Sequence, residues 1–127
     1  MKENEIAAIV VDASFRVHCA LGPGLLESVY ERALAHELRK RHLFVQCQVP
    51  IPIVYDDLTF DQGFIADLIV ENSVILELKS VEKVAAVHKK QLLTYLRLTN
   101  MRLGLLVNFG EALIRDGISR VINGALD

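Results

Sequence analysis

Two stretches of helical periodicity open the chain. Apolar side chains recur every three or four positions at Ile6, Ile9, Val10, Ala13 and Val17. This spacing predicts an amphipathic helix over residues 4–20. The segment Leu21-Gly22-Pro23-Gly24 ends it, because glycine and proline interrupt helices, and a second helix is predicted from about Leu25 to Arg41. The apolar side of this second helix comprises Leu26, Val29, Tyr30, Ala33, Leu34 and Leu38.

From Leu43 onward apolar and polar residues alternate, which predicts strands. Phe44–Val49 alternates in this way, and Pro50 and Pro52 in the following residues indicate a sheet edge or a bulge. The next elements are a turn at Asp56-Asp57, a strand over Phe64–Val70, a turn at Glu71-Asn72-Ser73 and a strand over Val74–Lys79.

The last third of the chain returns to a helix and then to strands. A helix over His88–Leu98 is expected to bury Leu92, Leu93 and Leu96. Leu103–Asn108 is a nearly continuous apolar run, typical of a strand covered on both faces. After a turn at Asp116-Gly117, Ile118–Ile122 alternates as a final strand. This order of elements predicts an α+β fold, a mixed sheet with helices packed on it, and 127 residues fit a single domain over residues 1–127.

Composition and charge narrow the functional classes. Hydrophobic residues make up 52% of the chain, yet no apolar run approaches the roughly 20 residues that cross a bilayer, so no membrane partner is expected. The net charge of −2 argues against a nonspecific nucleic-acid coat protein, which would be strongly basic. It leaves room for an enzyme acting on nucleic acid, because a bound cation adds local positive charge. The apolar excess would also allow a homodimer.

Cysteine is sparse and gives no metal motif. Cys19 and Cys47 are the only two, and we expect both in or near the core. Their number fits the reducing cytoplasm better than a disulfide-stabilised secreted domain.

The hairpin around Asn72 is the most informative feature for chemistry. If Glu71-Asn72-Ser73 is the loop, Val70 faces Val74, and counting outward places Asp67 opposite Glu77. Lys79, two residues after Glu77, projects from the same face. The other face then carries Ala66, Leu68, Val70, Leu76 and Leu78 as a core.

Two carboxylates placed this closely repel each other and need a cation. Lys79 alone could neutralise one acid, or a divalent ion could bridge both, since Mg²⁺ and Mn²⁺ take carboxylate oxygens and recruit phosphate. A solvated charged sheet face is the remaining alternative, because a register slip of one residue would separate the acids.

These residues resemble a known signature. Asp67 followed by Glu77-Leu78-Lys79 looks like the D…(D/E)xK motif of the PD-(D/E)XK nuclease superfamily, and Gly24-Leu25-Leu26-Glu27-Ser28-Val29-Tyr30 matches the motif of the bacterial GxxExxY family within it. The similarity extends over about residues 17–123. It continues through Pro50-Ile51-Pro52, Ala66-Asp67-Leu68, Leu76-Glu77-Leu78-Lys79-Ser80, Gln91-Leu92-Leu93-Thr94-Tyr95-Leu96 and Gly104-Leu105-Leu106-Val107-Asn108-Phe109.

The resemblance implies a restriction-endonuclease-like core and a Mg²⁺- or Mn²⁺-dependent nuclease acting on nucleic acid, with DNA favoured over RNA. Asp67, Glu77 and the Leu78 carbonyl would bind the metal. Lys79 would position the attacking water and stabilise the transition state. Glu27 would be a further acid at the metal or its water, unless it serves only the N-terminal end of its helix.

Gln91 and Tyr95 lie four residues apart on one helix face and resemble the QxxxY element that lines such sites. The alternative is a buried tyrosine hydrogen-bonded to glutamine. His88 and Lys89-Lys90 begin that helix and could meet phosphate. Ile65 departs from the family, which favours a basic residue there, and this supports an alternative: a nuclease-fold module for binding or assembly with little activity.

The basic run Arg39-Lys40-Arg41-His42 has two readings. It closes the second helix with favourable charge, and it could also contact a phosphate backbone. His18, His36 and His42 are expected to be structural or solvent-facing, with Tyr30 in the core.

Overall fold

The computed structural model describes residues 1–126, and it confirms the predicted α+β fold with a five-stranded mixed sheet. Among these residues no helix is both long and apolar enough to cross a membrane. The elements in chain order are α1 (Glu3–Leu21), α2 (Glu27–Lys40), β1 (Val45–Tyr55), β2 (Leu58–Val70), β3 (Val74–Lys79), α3 (Ala86–Thr99), β4 (Leu103–Asn108), α4 (Ile114–Gly117) and β5 (Ile118–Ile122).

The strands lie side by side in their chain order, and only β3 and β4 are parallel. A parallel pair needs a crossover, which α3 provides. β1 is an edge strand, and its register against β2 shifts between Ile51 and Ile53, as its two prolines indicate. β4 is buried along its whole length, which confirms that it is covered on both faces. Asp116-Gly117, predicted as a turn, lies in the short helix α4.

Two apolar cores lie on opposite faces of the sheet. The larger core packs α1 and α2 against one face and includes Leu68, Val70, Leu76 and Leu78. The smaller packs α3 against the other face through Leu92 and Leu96, whereas Leu93, also predicted to be buried, is only half-buried. Close packing of α3 depends on Gly104, because a Cβ atom there would lie 2.9 Å from the Leu92 side chain.

Four predicted core positions are wrong. Leu26 and Val29 are exposed, at 74% and 40% of their surface, because α2 begins only at Glu27 and buries the face that holds Tyr30 and Leu34. The helix therefore presents part of its apolar stripe to solvent. Both cysteines, expected in or near the core, are exposed free thiols.

Ala66 lies on the opposite face of the sheet from the one predicted. It belongs to the core under α3, whereas Leu68 and Val70 belong to the core under α1 and α2. Gln48, opposite the Asp67 position, has φ of 49°, and the pairs on either side keep the same register. Val45 and Val49 of β1 are likewise divided between the two cores, so the side chains of both strands exchange faces at the Gln48–Asp67 position.

Candidate functional site

Asp67 lies where β2 and β3 separate. The predicted register is confirmed by Val70 pairing with Val74, but the pairing ends at Leu68 and Leu76. Beyond that point the Asp67 side chain enters the gap, and its Oδ2 accepts a hydrogen bond of 2.8 Å from the Leu78 N–H. The Asp67 carboxylate thus takes the place of a backbone carbonyl as the partner of the Leu78 N–H. This bond fixes Asp67 to β3, the strand that carries Glu77.

Glu77 is a largely buried carboxyl beside Asp67. Its Oε1 is buried and has no hydrogen-bond partner among the described residues. Burial raises the pKa of Glu77 to about 9, the negative charge of Asp67 and a hydrogen bond from protonated Glu77 to the Asp67 carboxylate add to the rise, and Lys79 opposes it. A buried carboxyl with an unsatisfied oxygen is costly, so this position would be stabilised by either a proton or a cation.

A cavity of about 300 Å³ opens on the other side of Asp67. Its wall consists of Glu27, Ser28, Glu31, Gln48, Asp67 and Leu78. Glu27 and Glu31 lie on successive turns of α2. Burial raises the pKa of Glu31, and the negative charges of Asp67 and Glu27 add to the rise. The cavity therefore brings two helix acids to Asp67, and Glu77 lies outside its wall.

The start of α2 is fixed by a buried tyrosine. Tyr30 is fully buried and stacks on Phe109 with ring centroids 4.5 Å apart, which confirms it as a core residue. Its hydroxyl donates to the Gly22 carbonyl at 2.5 Å and accepts from the Leu25 N–H at 3.0 Å. Ser80 Oγ also donates to the Leu25 carbonyl at 2.6 Å. These bonds tie the loop before Glu27 to the end of β3.

Tyr95 faces the same acids from α3. Its ring stacks on Phe64 with centroids 3.8 Å apart and planes at 2°. Burial raises the pKa of the Tyr95 hydroxyl, the carboxylates of Glu77 and Asp67 raise it further, and Gln91 partly offsets the rise. Glu77 and Asp67 are thus near enough to act on the Tyr95 hydroxyl, and Gln91 acts on it through a side-chain hydrogen bond; the QxxxY role of both residues stays a prediction.

Lys79 is the cation nearest this group. It is half-buried and forms no ion pair within residues 1–126. Ile65, where the family favours a basic residue, is 45% exposed and supplies no second charge. The four acids at the site, Glu27, Glu31, Asp67 and Glu77, therefore outnumber the basic residues.

Arg39, Arg41 and His88, which are also basic candidates, have structural partners. Arg39 donates to the Val45 carbonyl at 2.8 Å, and Arg41 pairs with Asp12. His88 accepts a hydrogen bond from the Ala85 N–H through Nδ1 at 3.2 Å. Both arginines at the C-terminal end of α2 therefore have intramolecular partners, and His88 caps the start of α3.

Glu31 and Gln48 were missed by the sequence reasoning. Glu31 follows Glu27 by four residues, which places both on one helix face, and that spacing could have revealed it. Gln48 has no such signal, because its contact with the site depends on its backbone angle.

A model of the PD-(D/E)XK nuclease superfamily matches residues 4–121. The chain belongs to this superfamily. No curated protein matches the chain.

Nucleases of the PD-(D/E)XK superfamily generally use divalent metals, and the donor set of this member fits one. Within residues 1–126 no three His, Cys, Asp or Glu side chains converge tightly enough to hold an ion by themselves. Mg²⁺ needs only one or two carboxylates, with waters and substrate phosphate completing its shell. Asp67 and Glu77, whose Oε1 has no hydrogen-bond donor among the described residues, would be that pair.

The metal-free protein is expected to lose stability as pH rises. The pKa of Glu77 is about 9 in the folded chain and 4.5 for a free glutamate, so the folded state keeps a proton that the unfolded state releases. Its stabilising effect is complete below pH 4.5 and is lost as pH rises toward 9, by at most about 1.4 kcal/mol per pH unit.

Urea unfolding in EDTA at several pH values tests this expectation. Glu77→Gln, a neutral isostere, should be more stable than the native protein by a margin that grows with pH. Glu82→Gln, at an exposed loop position, is the matched control and should show no such margin. Parallel pH curves for the native protein and Glu77→Gln would contradict an uncompensated buried carboxyl.

Proposed function

We propose that this chain is a Mg²⁺- or Mn²⁺-dependent nuclease that hydrolyses phosphodiester bonds of nucleic acid, with DNA favoured over RNA. The observation that supports it most is the buried, unpartnered Glu77 Oε1 beside Asp67. We also place the chain in the GxxExxY family, as one nuclease-like domain.

In this proposal Asp67, Glu77 and the Leu78 carbonyl hold the cation. When bound, the ion would polarise the phosphoryl group and lower the pKa of a water molecule. Asp67 is already oriented for this role by the Leu78 N–H. Glu27 lines the cavity beside Asp67 and would accept a hydrogen bond from a metal-bound water.

Lys79 would orient the attacking water and stabilise the negative charge that develops on the phosphoryl oxygens. It follows Glu77 by two residues on β3, so both side chains project from one face. Because it has no ion-pair partner in the described chain, its charge is available to substrate. Gln91 and Tyr95 would line the same side of the site as Lys79 and would contact the phosphate or its water.

A cleavage assay with full-length protein tests the proposal. Single- and double-stranded DNA and RNA are incubated with Mg²⁺, Mn²⁺ or EDTA. Asp67→Asn and Glu77→Gln, which keep shape and remove charge, should lower metal-dependent cleavage by more than about a hundredfold. Cleavage that persists in EDTA or in Asp67→Asn would refute the proposed mechanism.

The exposed Ile65 favours a second candidate, a nuclease-fold module that binds or assembles with little cleavage. Melting temperatures separate the two. A cation that binds the folded state must raise its stability, so Mn²⁺ should raise the melting temperature of the native protein but not of Asp67→Asn. If Mn²⁺ changes neither temperature and Asp67→Ala is more stable, the acids are vestigial.

A further inference from the structure

Gln48 is unusual in both its backbone and its contacts. Its φ of 49° lies in the left-handed region, which residues other than glycine, asparagine and aspartate seldom adopt. It is opposite Asp67 in the β1–β2 register, between the pairs Cys47–Leu68 and Val49–Ala66. Unfavourable backbone angles persist where surrounding structure maintains them, and they cluster at functional sites.

The Gln48 amide lies between two carboxylates. Nε2 donates to Glu31 Oε1 at 2.5 Å and approaches Asp67 Oδ1 at 3.4 Å. Asp67 Oδ2 is held independently by the Leu78 N–H. The two amide contacts therefore align Asp67 Oδ1 and Glu31 in the wall of one cavity, although the two acids come from a strand and a helix far apart in sequence.

We propose that Gln48 is a positioning residue of the metal site, whose amide holds Asp67 and Glu31 side by side so that Glu31 assists Asp67 in binding the cation or its water. The inference rests on the proposed function. It adds Glu31 to the acids of the site and gives a physical reason for the unfavourable backbone angle of Gln48.

Calorimetric titration of the full chain with Mn²⁺ provides the test. Gln48→Gly deletes the amide, while glycine adopts a positive φ without steric cost, so the metal-free melting temperature should stay the same or rise. Mn²⁺ affinity should fall by about tenfold, as expected when a partner that orients a ligand is lost. Asp56→Gly is the matched control, because Asp56 also has positive φ, 54°, at an exposed turn, and it should bind Mn²⁺ normally.

A double-variant cycle distinguishes positioning from a general structural effect. Glu31→Ala should weaken Mn²⁺ binding about as much as Gln48→Gly, and the double variant should be no weaker than Glu31→Ala alone, because both changes break the hydrogen bond between Gln48 and Glu31. Native affinity in Gln48→Gly, or losses that multiply in the double variant, would overturn the inference. In both of those cases the native protein still binds Mn²⁺, whereas a native protein that binds none refutes the proposed metal site itself.

Discussion

Replacing Lys79 with methionine is expected to lower metal-dependent cleavage by about 10²–10³-fold and to leave Mn²⁺ affinity unchanged or slightly higher. Methionine keeps the length and apolar stem of the side chain but removes the charge. The ammonium group would act on charge that develops only in the transition state, so its loss should affect the rate. The carboxylates that would bind the metal remain, and the nearby positive charge that opposes a cation is gone.

Single-turnover cleavage rates and Mn²⁺ calorimetry on the same preparations check this expectation. Lys83→Met, in the exposed loop after β3, is the matched control and should retain most of the activity. If cleavage and Mn²⁺ affinity fall together in Lys79→Met, the lysine acts through the structure of the metal site. That outcome would refute a separate role in the transition state.

Replacing Asn108 with alanine is expected to lower the free energy of unfolding by about 3–5 kcal/mol. Asn108 is fully buried at the end of β4. Its Oδ1 accepts hydrogen bonds of 3.0 Å from the Val81 and Gly110 N–H groups, and its Nδ2 donates to the Val81 carbonyl at 2.9 Å. Alanine would leave three backbone groups of the half-buried residues Val81 and Gly110 without their partners.

Urea unfolding measures this loss. Asn4→Ala is the control and should cost little, because Asn4 is exposed and its side chain has Arg120 as its only hydrogen-bond partner among residues 1–126. Through Val81, Asn108 also fixes the segment that follows Lys79. The neighbouring Phe109 N–H donates a hydrogen bond of 2.8 Å to the Lys79 carbonyl. A loss below about 1 kcal/mol in Asn108→Ala would show that water replaces these bonds.

Local patterns predicted most of the elements. Helical spacing identified α1 and the body of α2, alternation identified the strands, and the turn at Glu71-Asn72-Ser73 fixed the β2–β3 register, as the Val70–Val74 pair confirms. The prolines correctly marked β1 as an edge strand. These features depend on neighbouring residues, so a single sequence contains the information.

The errors arise where distant parts of the chain decide the outcome. Ala66 was assigned to the wrong face because strict alternation assumes a uniform strand, whereas β1 and β2 both exchange faces at the Gln48–Asp67 position. Leu26 and Val29 were assigned to the core because periodicity does not say how far a neighbouring helix extends over an apolar stripe.

For the site, counting residues brought Asp67 and Glu77 together but could not show that the strands separate there. The separation is what allows Asp67 to accept from the Leu78 N–H. Glu31 could have been found from its spacing to Glu27. Gln48 could not, because its amide reaches Asp67 and Glu31 only through the folded backbone.

The central claim is that Asp67 and Glu77 form a site for one divalent cation. A crystal soaked in Mn²⁺ and measured for anomalous scattering tests it most directly. We expect one anomalous peak within about 2.5 Å of a carboxylate oxygen of both residues, with Glu77 Oε1 now coordinated. A Mn²⁺ peak elsewhere, or none, with Glu77 still buried and unpartnered, would contradict the metal site.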